Sequence, residues 1–274
     1  MIFNNLRCCE ILREWLKSRL LSGRSDVQIV SGAPSLFMNL VLFSNSDFIG
    51  DNLVSIHDAR RLQHITHIHQ VTLGEYLNVG LINGMMGKGK VVVHTADEIQ
   101  LEVSLSQQPP IALPITLILA LPRPKMLKRT LQTIATLGVK NIYLINSYRV
   151  EKSYWQTPLL SEDAIQEHLI LGLEQGCDTI VPKVSLIKRF KPFVEDNLKE
   201  IVGTSRALVA HPYTDTSCPA QINYAITLAI GPEGGFIPYE IDLLEKCGFT
   251  TVNLGKRIMR VETVVPYLLG RLFI

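Results

Sequence analysis

Long apolar runs are missing from this chain of 274 residues. No stretch approaches the roughly 18 consecutive apolar residues of a membrane-spanning helix, so the sequence predicts no membrane segment. Cysteine is also scarce: the chain has five, an odd number, and no two of them form a C-x-x-C pair. This usage argues against structural zinc and indicates reduced thiols in an intracellular protein.

Several familiar catalytic motifs are absent too. The glycines at 231, 234 and 235 are not followed by Lys-Ser or Lys-Thr, so they do not form a Walker loop, and no G-x-G-x-x-G or G-x-S-x-G occurs. Cys177 and Cys218 lack the local signature of a nucleophile and are interpreted as packing residues. His64-x-x-His67-x-His69 has no carboxylate or cysteine at ligand spacing, so we interpret it as surface histidines and predict no metal.

Net charge is only +2, but the positive charge is unevenly spread. The segment from Arg123 to Lys152 is strongly basic, with Glu151 as its one acidic residue. Such a zone is typical of a nucleic-acid surface and also of an ordinary solvated helix face, and both interpretations stay open at this point.

Residues 1–37 are predicted to be an extension of the main fold. They hold one amphipathic helical pattern, from Cys9 to Leu21, and end just before a second methionine, Met38, that precedes a clear strand. An upstream mis-start, a tag and a targeting peptide are all compatible with this arrangement. The acidic residues at 10, 14 and 26 argue against an organellar transit peptide, and we favour a dispensable extension.

Residues 38–105 are predicted to form a small β-barrel. Strand patterns cover 40–43, 53–56, 76–82, 90–94 and 99–105, with one short helix after Asp58. Turn signals lie at Gly74-Glu75, at Asn83-Gly84 and over 87–90. Residues 106–113, which include Pro109-Pro110, are the predicted linker to the rest of the chain.

Residues 114–274 alternate strand and helix patterns, which predicts an α/β domain with a mostly parallel sheet covered on both faces. Ligands of such sheets bind outside the carboxyl ends of the strands. Three strand ends carry unusual turns: Ala210-His211-Pro212, 231–235 and 255–260. We expect these turns to gather at one edge and to form a pocket of backbone N–H and C=O groups for a small polar cofactor.

Arg257 and Arg260 lie three residues apart in the last of these turns. Arginines at such positions suit a phosphate or a base carbonyl, whereas an ion pair with Glu233 or Glu262 is an equally good interpretation.

Two segments carry a family resemblance: Gly231-Pro-Glu-Gly-Gly-Phe236 and Leu254-Gly-Lys-Arg-Ile-Met-Arg-Val-Glu-Thr263. In this order they resemble the signature of the bacterial 16S ribosomal RNA uridine-N3 methyltransferases, the RsmE type of the SPOUT class. Glu174-Gln175 with Val181-Pro182, and Val209-Ala-His-Pro212, match further family segments. The resemblance covers roughly residues 38–274.

The resemblance implies a PUA-like barrel that helps to hold RNA, followed by an α/β methyltransferase domain with a deep trefoil knot. It implies a cytoplasmic homodimer that acts on 16S ribosomal RNA of the small ribosomal subunit. The implied methyl donor is S-adenosylmethionine, and the implied acceptor is N3 of a uridine. Carried over by position, the cofactor contacts are Val209, Ala210, His211, Pro212, Ile230, Gly231, Pro232, Glu233, Gly234, Gly235, Leu254, Gly255, Ile258, Met259 and Thr263.

For catalysis, Arg260 and then Arg257 are the candidates to stabilise the charge that develops on uracil. Glu262 or Glu233 is the candidate base, with solvent as the alternative. The candidate RNA-binding residues are Arg123, Lys125, Lys128, Arg129, Arg149, Lys152, Lys188 and Arg189. Two rival functions stay open: a non-catalytic RNA-binding or ribosome-assembly factor of the same fold, and a related methyltransferase that acts on another RNA.

Three departures from the family pattern bear on RNA contacts and on a helix start. Residues 176–179 stand where the family often has an Arg after Glu-Gln, and Ile68-His69 stands where it has V-L-R. Ile237 replaces the Ser or Thr that usually caps the helix starting at Pro238, although proline itself suits the first helical position.

Overall fold

A computed structural model describes residues 40–63, 65–66 and 71–273. The predicted extension 1–37, with its helix from Cys9 to Leu21, lies outside these residues. So do Met38 and the three histidines His64, His67 and His69. Among the described residues, no helix has the length and apolar character needed to cross a membrane.

The first half of the described chain is a five-stranded sheet. Its strands are β1 (Val41–Phe43), β2 (Leu53–Ile56), β3 (Tyr76–Leu81), β4 (Met86–His94) and β5 (Ile99–Gln107), in the order β1-β3-β4-β5-β2. β1 and β3 are parallel and the other neighbours are antiparallel. A short helix, α1 (Ala59–Gln63), follows Asp58 as predicted. The predicted strands are confirmed, and the PUA-like barrel stays a prediction.

The turn predicted over residues 87–90 is wrong, because β4 already begins at Met86. A Cβ on Gly87 would stand 1.9 Å from the carbonyl oxygen of Ser104, and one on Gly89 would stand 2.8 Å from Cγ1 of Val79. The register between β4 and β5 also shifts between Met86 and Gly87. These glycines therefore allow neighbouring strands to approach closely at a bulge, and they do not form a turn.

The second half is built on a six-stranded sheet in which every pair of neighbours is parallel. Its strands are β6 (Ile115–Ala120), β7 (Asn141–Ile145), β8 (Lys183–Ile187), β9 (Arg206–Ala210), β10 (Ile226–Ile230) and β11 (Thr250–Val252), in the order β11-β9-β10-β6-β7-β8. The prediction of a mostly parallel sheet is confirmed. β10 lies near the middle and is buried along its whole length, as its unbroken apolar pattern requires.

The helices of this half alternate with the strands along the sequence, and the last one follows β11. They are α2 (Pro124–Thr136), α3 (Glu162–Gly176), α4 (Phe190–Pro192), α5 (Leu198–Val202), α6 (Pro238–Lys246) and α7 (Val261–Phe273), with a π turn (Phe193–Asn197) between α4 and α5. α2 starts with proline at its first position, buries Leu127, Leu131 and Ile134, and packs against α3 and α7. Two 3-10 turns, Lys152–Gln156 and Pro158–Leu160, lead from β7 into α3.

Hydrogen bonds and an ion pair join the two sheets within one compact unit. The Arg60 guanidinium donates to both carboxylate oxygens of Glu174, at 2.9 and 3.2 Å. The β3–β4 turn docks on the segment after α3, because the Asn83 N–H donates to the Thr179 carbonyl at 2.8 Å. The Asn83 side-chain oxygen in turn accepts the Val181 N–H at 2.9 Å.

Candidate functional site

The three predicted turns meet at one cavity of about 660 Å³. This follows from the sheet order, because β11, β9 and β10 are adjacent and parallel, so their carboxyl ends lie at one edge. The predicted residues that line the cavity are Ala210, His211, Pro212, Ile230, Gly231, Pro232, Glu233, Gly234, Gly235, Leu254, Gly255, Arg257, Ile258 and Met259. Four of the residues predicted for cofactor binding or catalysis do not line it: Val209, Arg260, Glu262 and Thr263.

Glycine lets the backbone itself form part of the cavity wall. A Cβ on Gly231 would stand 2.9 Å from the backbone nitrogen of Phe236. Gly235 and Gly255 have φ angles of +72° and +99°, which favour glycine. The Gly235 N–H closes its turn on the Pro232 carbonyl at 2.7 Å. Side chains at these positions would fill or distort the cradle, so the turns are built to bring backbone atoms close to a ligand.

His211 lies where β9 ends and is held by its backbone. Its N–H donates to the Val252 carbonyl at 2.9 Å, which ties the first turn to the end of β11. Its ring packs edge-on against Tyr213, with centroids 5.6 Å apart. Burial lowers the pKa of His211 below its usual value, with a small opposing effect from Glu245. Burial therefore favours the neutral form of the ring.

One of the ion pairs left open in the sequence, between an arginine of the last turn and Glu262, is present, whereas Glu233 pairs with an arginine from outside that turn. Arg260 pairs with Glu262, with 3.9 Å between Nη1 and Oε1, and its side chain is 84% exposed. Glu233 pairs with Arg123, whose Nε lies 3.9 Å from Oε1 and whose backbone N–H donates to the same oxygen at 3.3 Å. Arg257 lines the cavity and takes part in no ion pair among the described residues. Exposed pairs of this kind contribute little stability and leave the charges available to a ligand.

Two features of the cavity were not predicted from the sequence. Arg149, expected only at the RNA surface, lines the cavity and donates from Nη1 to the Gly234 carbonyl. Asn253 accepts the Gly255 N–H on its side-chain oxygen at 3.0 Å, and its side-chain nitrogen donates to the Thr214 carbonyl. An Asn two residues before a turn glycine is a recognisable signal for such a turn, whereas nothing local to Arg149 indicates its contact.

Two helices begin near this edge without a capping side chain from the residue that precedes them. Ile237 offers no such side chain to α6, as predicted, but the Glu240 carboxylate accepts the Ile237 N–H at 3.0 Å. Arg123 precedes Pro124 at the start of α2 and likewise offers no side-chain cap.

Within the described residues, no three His, Cys, Asp or Glu side chains gather in a way that could hold a metal ion.

A family model described as an RNA methyltransferase domain matches residues 109–272, more than half of the chain. The chain belongs to this RNA methyltransferase family. Its matched region contains the whole six-stranded sheet and all three turns of the cavity.

Relatives and solved structures agree with the family assignment. Ribosomal RNA small subunit methyltransferase E of Treponema pallidum is 29% identical over 233 residues, which are 82% of this chain and 87% of that protein. The crystal structure of the Neisseria gonorrhoeae protein of the same name, bound to S-adenosyl methionine, covers 84% of this chain and 95% of its own at a TM-score of 0.65 and 22% identity. A Legionella pneumophila methyltransferase in complex with the same cofactor has the same coverage, a TM-score of 0.66 and 20% identity. The resemblance drawn from the two motifs is thereby confirmed.

The predicted RNA-binding residues of this RNA methyltransferase are all exposed. Lys125, Lys128 and Arg129 lie on α2, and Arg123 directly precedes it. Lys188 and Arg189 follow β8, just before α4. Lys152 begins the 3-10 turn that follows Arg149. Except for the Arg123–Glu233 pair, these cations form no ion pair among the described residues, which leaves them available to phosphates.

Proposed function

We propose that this chain transfers a methyl group from S-adenosylmethionine to N3 of a uridine in 16S ribosomal RNA of the small ribosomal subunit. The observation that carries the proposal is the cavity: three adjacent strand ends, two of them with glycine turns, enclose about 660 Å³ in a chain of the RNA methyltransferase family. This volume lies within the roughly 300–1,000 Å³ of small-molecule sites.

The cavity residues fit S-adenosylmethionine, which would supply the methyl group when bound. Apolar side chains such as Ile230, Leu254 and Met259 offer a surface for an adenine ring. The backbone of residues 231–235, uncovered by side chains at its three glycines, offers donors and acceptors for polar atoms. Val209 is buried in β9 next to the wall residue Ala210, and Thr263 is exposed in the first turn of α7; both stay proposed cofactor contacts on the family resemblance.

The chemistry of the acceptor assigns roles to the arginines. Uracil N3 carries a proton, and its loss places negative charge on the O2 and O4 oxygens. Arg260 is exposed at the start of α7, where it can meet an incoming base, and Arg257 lies on the cavity wall. Either guanidinium stabilises this charge by directed hydrogen bonds. Glu262, next to Arg260, or Glu233 takes the proton, with solvent as the alternative.

The RNA is held by the exposed cations on α2 and around residues 149–152 and 188–189, which neutralise phosphates and make binding salt-dependent. Residues 38–105 form a PUA-like barrel that adds RNA contacts, and residues 106–113 link it to the knotted methyltransferase domain of 114–274. The active form is a homodimer in the cytoplasm, in which the knot of one subunit completes the site of the other. The confirmed resemblance to methyltransferase E supports each of these points.

Calorimetry with S-adenosylmethionine tests the cofactor assignment. Binding in the micromolar range supports it, whereas no binding at millimolar cofactor favours a non-catalytic RNA-binding or assembly factor. Mass-spectrometric mapping of ribosomal RNA from a deletion strain, compared with its parent, tests the substrate. Loss of one N3-methyluridine from 16S RNA supports the proposal, and an unchanged 16S map with a change in another RNA assigns the enzyme a different substrate.

A further inference from the structure

Glu240 is a buried carboxylate that forms no ion pair among the described residues. It is 3% exposed and lies in the first turn of α6, directly behind the glycine turn of the cavity. It does not line the cavity itself. A charge in such a place must be compensated by hydrogen bonds, and the position of those bonds indicates what the residue does.

The two carboxylate oxygens join two segments that are far apart in the sequence. Oε2 accepts the Ile237 N–H at 3.0 Å, at the end of the glycine turn. Oε1 accepts the Tyr148 N–H at 2.7 Å, in the loop that follows β7. The positive end of the α6 helix dipole adds to the stabilisation of the carboxylate. Glu240 therefore fixes the distance between the β7 loop and the glycine turn.

Arg149, the residue after Tyr148, makes a second contact between the same two segments. Arg149 donates from Nη1 to the Gly234 carbonyl, and its side chain passes so close to Gly234 that a Cβ there would stand 2.9 Å from Arg149 Cδ. Both residues line the cavity. The same two segments are thus joined twice, once behind the wall by Glu240 and once on it by Arg149.

We infer that Glu240 is a positioning residue that holds Arg149 against the Gly231–Gly235 turn and thereby sets the affinity of the cavity for its cofactor. The inference rests on the proposed function, because it takes S-adenosylmethionine as the ligand. Arg149 then belongs to the cofactor site as well as to the basic surface, since a guanidinium has further N–H donors beyond the one given to Gly234.

Four proteins test this inference by calorimetry with S-adenosylmethionine: wild type, Glu240→Gln, Arg149→Met and the double variant. In Glu240→Gln the side chain keeps its size, but an amide cannot accept both N–H groups with a carboxylate's strength. We expect each single substitution to raise the dissociation constant about ten-fold, the cost of one charge-assisted hydrogen bond. The double variant should be no weaker than the weaker single variant, because both act on one contact.

Controls separate positioning from folding. Glu200→Gln removes an exposed carboxylate on α5 and should leave the dissociation constant unchanged. Unfolding midpoints without ligand and the KM for the RNA substrate are measured on the same proteins, and in Glu240→Gln the KM for RNA should change less than the dissociation constant for S-adenosylmethionine. If that variant does not fold, Glu240→Asp, which keeps the charge but is too short to span both N–H groups, replaces it.

Three outcomes overturn the inference while the proposed function stands. The first is a Glu240→Gln protein with a lower unfolding midpoint but wild-type cofactor affinity. The second is multiplication of the two single effects in the double variant. The third is an Arg149→Met protein that loses RNA affinity alone. A wild-type protein that binds no S-adenosylmethionine overturns the proposed function instead.

Discussion

Replacing Arg60 by methionine removes an ion pair that joins the helix of the five-stranded half to the long helix α3. The guanidinium gives two hydrogen bonds to the Glu174 carboxylate, at 2.9 and 3.2 Å. The Glu174 side chain is only 6% exposed, whereas that of Arg60 is 35% exposed. Methionine keeps much of the aliphatic length of Arg60, so the change isolates the charge and the hydrogen bonds.

The expected loss of stability depends on the Glu174 carboxylate, which stays buried after Arg60 is replaced. Breaking a buried pair by removing one partner costs about 3–5 kcal/mol, because the other charge is left buried without compensation. Water that reaches the partly exposed Arg60 site will hydrate part of the carboxylate. We therefore expect a loss of about 2–3 kcal/mol in the free energy of unfolding. With a urea m-value of about 3 kcal/mol/M, the midpoint should fall by roughly 0.7–1 M.

Urea unfolding followed by circular dichroism and by tryptophan fluorescence measures this shift. The double variant Arg60→Met with Glu174→Met removes the uncompensated charge and should recover at least half of the loss. Lys191→Met is the matched control, since its pair with Glu195 is exposed on both sides and should contribute less than about 1 kcal/mol. A loss in Arg60→Met no larger than in Lys191→Met would refute the reasoning.

Three further predictions concern the cavity and a buried histidine. Arg260→Ala should keep the cofactor dissociation constant and lower methyl transfer at least about 100-fold, because it removes charge stabilisation only in the transition state; normal turnover would rule out its role. Gly234→Ala should weaken cofactor binding at little cost in stability, because the added Cβ meets the flexible Arg149 side chain. Gly231→Ala should lower the unfolding midpoint, because its Cβ meets the Phe236 backbone. Equal unfolding midpoints in the two variants would contradict this. Burial lowers the pKa of His168, and its buried Nδ1 has no hydrogen-bond partner within the part of the chain that the structure describes. The unfolded chain therefore binds more protons below pH ~6.5, the free energy of unfolding falls as the pH drops, and His168→Leu should flatten that fall in urea midpoints measured from pH 7.5 to 5.5; an unchanged slope would disprove it.

Local patterns in the sequence were sufficient for most strands and for the cavity edge. The apolar run of β10 is a local signal of a buried strand, and the proline at the first position of α2 is a local signal of a helix start. The three turns could be placed together because parallel strands present their carboxyl ends at one edge. No local pattern predicts that β11, β9 and β10 are neighbours, and this adjacency is what makes the turns enclose one cavity.

The glycines at 87 and 89 show where local reasoning fails. Glycine next to lysine, repeated within four residues, is an ordinary turn signal, yet here the absent Cβ serves the approach of a neighbouring strand. For Gly87 that neighbour lies on β5, and no feature within residues 87–90 points to it. A single glycine in a sequence indicates a position that does not tolerate a side chain. It does not indicate whether the backbone conformation or a close neighbour is the reason.

Three of the contacts that the sequence did not reveal join residues that are far apart along the chain. Arg149 meets Gly234 across 85 residues, Tyr148 meets Glu240 across 92, and Arg60 meets Glu174 across 114. The glycine turns shape the cavity, whereas these long-range contacts hold the turns, the β7 loop and the five-stranded half at fixed distances. A ligand gains affinity from a site that is already in place, because it does not bear the cost of ordering it. Substitution of Arg149 or Glu240 should therefore change how tightly the cavity holds its cofactor.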